Sequence, residues 1–183
     1  MTTSHDALIS TLPILHLGRN QGEAYWFDGS LRIIKSRAST HGITFIEAWI
    51  PEGFSPHYHV HRRESDVMMI LEGQGTFRSG ETLFDARSGD LVSLPPNVPH
   101  SFQVTNGPLR AVGLYSTDHF ANLIVSLGVQ ARTLSLPPPD IDTTVRSADV
   151  ARVMAEHAAR GVPLDLDQEI LGPSPFSPLP QKS

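Results

Sequence analysis

Three histidines alternate along a short run, His57-Tyr58-His59-Val60-His61; a lone carboxylate, Asp66, follows, and a fourth histidine, His100, stands after a proline-rich turn. Neutral imidazole together with carboxylate is the ligand chemistry of zinc, iron, nickel, cobalt, copper and manganese sites. Residues i and i+2 of a β-strand point to one face with their Cα atoms about 6.6 Å apart, so two such histidines can converge on an ion between their rings. The outer pair, His57 and His61, would be about 13 Å apart, too far to chelate together without a bend. One adjacent pair is therefore the chelate, and spacing alone leaves open which.

The next segment narrows the choice. Asp66 opens an apolar run that ends at Gly73, with the polar stretch from Arg62 to Ser65 expected as a turn between two antiparallel strands. In that arrangement Asp66 lies nearer to His59 and His61 than to His57. It shares parity with Met68 and Ile70 and so faces the interior, where a carboxylate is costly unless paired or bound to a cation. His100 follows Pro95-Pro96-Asn97-Val98-Pro99, and prolines cannot donate to a ladder, so this is a rigid bend able to fix a ligand from a distant part of the chain. The expected ligands are His59, His61, Asp66 and His100 around one divalent transition metal. His57 is expected at the pocket rim, and Glu64, with Arg62 and Arg63, in a solvated turn. His5, His16, His41 and His119 carry no pattern.

These residues resemble the two motifs of the cupin superfamily. The first, Gly-x5-His-x-His-x4-Glu-x6-Gly, falls on Gly53, His59, His61, Asp66 and Gly73, with Asp in place of Glu. The second, Gly-x5-Pro-x-Gly-x2-His, falls on Gly89, Pro95, Asn97 and His100, with Asn in place of the last Gly. A narrower resemblance is to quercetin 2,3-dioxygenase-like single-domain cupins, through Tyr25-Trp26-Phe27-Asp28-Gly29-Ser30-Leu31 and Pro99-His100-Ser101-Phe102. It implies a bound metal (Ni, Fe, Mn, Co, Cu or Zn), a small aromatic substrate, O2 as co-substrate and a homodimer. In the resembled dioxygenases the motif carboxylate also accepts the proton of the flavonol hydroxyl, which makes Asp66 the candidate catalytic residue. Aspartate reaches about 1.3 Å less far than glutamate, so the ion shifts, the strand moves, or the carboxylate stands behind the ligands.

The elements that must position these groups read as short strands separated by glycines. Candidates are 23–28, 30–37, 43–50, 57–61, 66–72, 75–79, 82–86, 91–94, 100–104 and 109–116, with Gly73-Gln74-Gly75 as a hairpin turn. Asp118 is expected to cap a helix through Leu127, and Ser147 a second helix to about Arg160, its apolar side formed by Val150, Val153, Met154 and His157. The pattern predicts a mainly β fold, a cupin-type antiparallel jelly-roll barrel with C-terminal helices. Its expected parts are an N-terminal arm (1–22), the barrel (23–117) and a helical, proline-rich extension packed on it (118–183).

Composition bounds the rest. At 183 residues and 39% hydrophobic content the chain can bury one core. The net charge of −5 and scattered Lys and Arg recommend neither nucleic acid nor anionic membrane as a partner. With no cysteine, disulfides, thiolate ligands and Cys nucleophiles are excluded. No apolar run approaches the ~18 residues of a membrane span, and Ala7–Leu17 is too interrupted for a secretory signal, so a cytoplasmic location is expected. No Ser-His-Asp elbow or phosphate-cradling loop is present. Three functions compete. A metal-dependent dioxygenase on a flavonol-like or enol-bearing aromatic needs O2. A non-redox isomerase, cyclase or decarboxylase on an aromatic or polyketide-like molecule turns over without it. A non-catalytic binding module holds its ligand unchanged.

Overall fold

A computed structural model describes residues 14–161, 164 and 166–176. The N-terminal thirteen residues, with much of Ala7–Leu17, and the proline-rich segment beyond Phe176 lie outside the described residues. Among the described residues the order is β1 (Glu23–Phe27), β2 (Ser30–Ser36), α1 (Ala38–His41), β3 (Thr44–Ile50), β4 (Tyr58–His61), β5 (Asp66–Ser79), β6 (Thr82–Arg87), β7 (Leu91–Leu94), β8 (His100–Tyr115), α2 (His119–Leu127), β9 (Val129–Gln130), α3 (Ser147–Ala159) and β10 (Gln168–Gly172). No helix of these is long and apolar enough to cross a membrane.

Every strand pairing is antiparallel, and the jelly roll is built around β5 and β8. One path of ladders runs β10-β4-β8-β3-β2-β1-β9, while β5 pairs with β6, β7 and β8. Asp28 and Gly29, both left-handed (φ 47° and 72°), make the two-residue turn between β1 and β2 that the Asp-Gly pair favours. The core follows the alternation of the strands. Ile50, Ile70, Phe77, Val104 and Leu109 fill the barrel, and Ile34, Ile46 and Tyr115 pack with Leu123 and Ile124 of α2 at one end. A third cluster, Trp26, Leu31 and Ile33, lies under Ala131 and Ile141, and the Trp26 indole donates to the Ser135 carbonyl (2.9 Å). Thus residues 131–141 brace the barrel from outside.

Several expectations are corrected. Gly73-Gln74-Gly75 is no hairpin: β5 runs through it, with register shifts against β8 around Glu72 and Gln74. Gly73 takes φ 84°, and a Cβ there would lie 2.7 Å from the Asn106 carbonyl, so glycine permits a bulge at which two long strands bend together. For the same reason 100–104 and 109–116 are one strand, β8. Arg62–Ser65 does not join paired strands, because β4 pairs with β8 and β10 while β5 belongs to the other side. Asp118 is the N-cap residue of α2, its carbonyl accepting from Asn122 N (2.8 Å), but its side chain serves the α1 turn instead: the carboxylate accepts from Ala38 N (2.6 Å), Ser39 N (3.2 Å) and the Thr44 hydroxyl (2.5 Å). The second helix starts at Ser147, with Asp149 accepting from Arg146 N (3.3 Å), and Met154 faces solvent rather than the apolar side.

Candidate metal centre

His59 and His61 ride on β4 and point inward, and the only bridge between β4 and β8 pairs His59 with His100. The three imidazoles are all buried and bring one ligand atom each to within 4.8 Å of one another. His59 Nδ1 lies 2.7 Å from the His57 carbonyl and His100 Nδ1 lies 2.9 Å from the Val98 carbonyl. A carbonyl only accepts, so both Nδ1 atoms carry the proton, and Nε2 is left as the lone-pair atom of each ring. Burial lowers the pKa of His59 to about 3, helped by neighbouring His100, and that of His61 to about 4; His100 is lowered too, again by burial. All three are therefore neutral near pH 7, the state a metal requires.

The bend that carries His100 is held by Asn97. This residue adopts φ 64°, a left-handed conformation that asparagine tolerates better than other side chains after glycine. Its backbone N–H donates to the His61 carbonyl (2.7 Å) and its side-chain amide to the Arg62 carbonyl (3.1 Å). The departure from the motif's glycine thus leaves the bend intact and ties it to the strand bearing the other two histidines.

Asp66 stands at the side of the trio, its Oδ2 3.5 Å from His61 Nε2 and its Oδ1 buried without a hydrogen-bond partner among the described residues. Burial, and after it the charges of Glu64 and Asp167, raise its pKa well above the carboxylate range. Glu64 corrects the expectation of a solvated turn: it is 1% exposed, with Oε2 3.9 Å from His61 Nδ1. Burial raises its pKa to about 7, against the opposing hydrogen bond from the Thr117 hydroxyl. Thr117 in turn accepts from His119 Nδ1 (2.8 Å), so His119, patternless in the sequence, belongs to this cluster. The turn folds inward because Asp167 Oδ2 accepts from the backbone N–H of both Arg63 and Glu64 (2.7 Å each). That carboxylate arrives from a segment a hundred residues downstream, and no local pattern announces it.

A cation fits this arrangement on two grounds. Three neutral imidazoles offer their lone pairs to one region, and the Asp66 carboxylate, its Oδ1 buried without a partner among the described residues, stands beside it. Beside the histidines opens a cavity of about 130 Å³, walled by Phe54, Met68, Leu94 and Phe102 on one side and by Phe27 and Phe120 on the other. His57 is exposed and lines its rim. From the C-terminal extension, Val150 of α3 and Ile170 of β10 also reach the cavity, so this part of the chain helps to close it.

Residues 46–115 match the family model of the cupin domain. The uncharacterized protein MJ1618 of Methanocaldococcus jannaschii is 32% identical over 65 residues, 35% of this chain and 52% of the relative, so the chain matches about half the length of that curated protein. Among solved structures, one described as a predicted oxalate decarboxylase from Thermotoga maritima superposes with a TM-score of 0.51 at 16% identity, over 55% of this chain and 96% of that one. Oxalate decarboxylase from Bacillus subtilis gives 0.50 at 14% identity, over 58% of this chain and 30% of that one. The matched domain supports the cupin superfamily over residues 46–115, and the likenesses show the fold, that of a cupin jelly roll.

Proposed function

We propose that the barrel is a metal-dependent enzyme, with His59, His61 and His100 as ligands and Asp66 as the proton acceptor, acting as a dioxygenase on an enol-bearing aromatic molecule. The observation that carries this reading is the buried histidine trio with a partnerless carboxylate oxygen beside it, opening on an aromatic-walled cavity. A divalent transition metal would supply Lewis acidity there and, where redox-active, a route for electrons to O2. The residues supply the rest. Phe54, Phe102 and Phe120 offer apolar ring surface to an aromatic substrate and keep water from it. Asp66 accepts the proton of the enol hydroxyl. A cation held by the histidines would draw its pKa back down and keep the ionised form at hand before substrate arrives. Glu64 is placed to hold the far side of the His61 ring.

The side position of Asp66, against one imidazole rather than within the trio, also suits a non-redox isomerase, cyclase or decarboxylase, in which proton transfer is the main task. Elemental analysis of the purified protein, followed by flavonol turnover with and without O2, separates these readings. Turnover that stops on removal of O2 supports the dioxygenase; turnover that continues anaerobically removes it. Protein that binds no metal overturns the site assignment. A homodimer, which the resemblance implies, and a cytoplasmic location, which the sequence pattern suggests, complete the proposal, and sedimentation velocity tests its oligomeric part.

A further inference from the structure

Arg32 lies on β2 on the same face as Ser30 and Ile34, lines the cavity and is only 5% exposed. Burying a guanidinium costs several kcal/mol unless a counter-charge meets it. Glu47, equally buried on the outer face of the sheet, has such partners in Lys35 (3.3 Å) and Arg110 (2.7 Å). Arg32 forms no ion pair among the described residues; the Asp28 carboxylate, also in the cavity lining, favours its charge only from beyond ion-pair distance. Its Nε donates to the Ser30 hydroxyl (2.8 Å), and its guanidinium carbon stands 5.7 Å from the centre of the Phe120 ring. These contacts orient the fork without neutralising it. Tyr115, also in the cavity lining, is opposite Asp66 in the β5–β8 register and close enough to Arg32 for each to shift the other's proton affinity. Guanidinium, phenol and the Asp66 carboxylate thus share one cavity with the histidine trio.

We propose that Arg32, with Tyr115 in the wall of the same cavity, receives a carboxylate of the substrate, so that the site takes a small organic acid with an apolar, preferably aromatic, body. The planar fork of arginine matches two carboxylate oxygens, and one guanidinium balances one negative charge. A phosphate dianion would be left half-compensated. The inference rests on the reading of this cavity as the substrate site, but not on which metal, if any, the histidines hold.

The test is calorimetric titration of trans-cinnamate, its neutral amide cinnamamide, and phenyl phosphate into the purified protein and into protein treated with EDTA. Cinnamate is expected to bind at least about tenfold more tightly than cinnamamide in both preparations. Arg32→Met should erase that preference, and Arg32→Lys, which keeps the charge but loses the fork, should retain part of it. Should Arg32→Met melt below assay temperature, Arg32→Lys together with the wild-type selectivity decides. Equal binding of acid and amide, no binding of either at millimolar concentration, or a preference for phenyl phosphate overturns the proposal. A preference that disappears with EDTA and survives Arg32→Met also overturns it, because the metal rather than Arg32 then reads the anion; that result leaves the metal site standing. Conversely, an Arg32-dependent preference in protein found to bind no metal upholds the carboxylate site while removing the metal enzyme.

Discussion

His59 is the residue on which both strand geometry and tautomer converge, since its Nδ1 is anchored on the His57 carbonyl and its ring meets those of His61 and His100. His59→Ala is expected to lose stoichiometric metal and turnover while keeping its circular dichroism spectrum; full metal content by elemental analysis would show the ligand assignment to be wrong. Asp66→Asn separates the second role. It should retain metal but lower kcat by about 10²–10⁴-fold, the usual range for a lost general base. A sign follows from the lowered pKa of His59, about 3 against an ordinary 6.5. Below pH 6.5 the unfolded chain takes up a proton that the metal-free folded protein refuses, so stability falls with pH towards the folded value. Metal-free wild type should therefore lose stability relative to His59→Gln between about pH 6.5 and 3, as read from paired urea titrations. Glu64 and Asp66 shift the opposite way, which is why the comparison is with the variant rather than with neutral pH alone.

At the level of elements, the sequence made the strand positions legible wherever alternation was clean. β1, β3, β6 and β7 fall within a residue or so of the apolar runs, and both long helices lie where their stripes place them. Two long strands were cut in half in the sequence because Gly73 and Gly107 read as breakers, whereas each sits where backbones crowd: a Cβ on Gly107 would lie 2.8 Å from Glu52 N. A glycine reports that a side chain is not accommodated; it does not say whether the chain turns or is merely pressed. Gly73→Ala is accordingly expected to destabilise by about 2 kcal/mol or more, from left-handed strain plus the clash with the Asn106 carbonyl, measured by equilibrium denaturation. The histidines were readable because period two is strictly local. Glu64 was not, because its burial depends on Asp167, and Arg32 was hidden inside a run, Leu31 to Ile34, that reads as core.

For the whole molecule, β4 connects the site to the distant end of the chain. It shares a single bridge with β8, whereas β10 pairs with it through Gln168↔His61, Glu169↔Val60, Ile170↔His59 and Gly172↔Tyr58. Deleting the residues after Gly161 removes this ladder, the Asp167 contacts to Arg63 and Glu64, and the Ile170 wall of the cavity. The truncated protein is expected to bind metal at least about tenfold more weakly and to aggregate through the bared edge of β4, as followed by metal titration and light scattering. Unchanged affinity would show that β4 is held by the barrel alone. The same pairing orders events in time. During translation, the strand that presents two of the imidazoles emerges long before its main partner, and it stays without that partner until residues 168–172 have left the ribosome. A cation held by this trio would therefore be chosen late, once the C-terminal strand has been made.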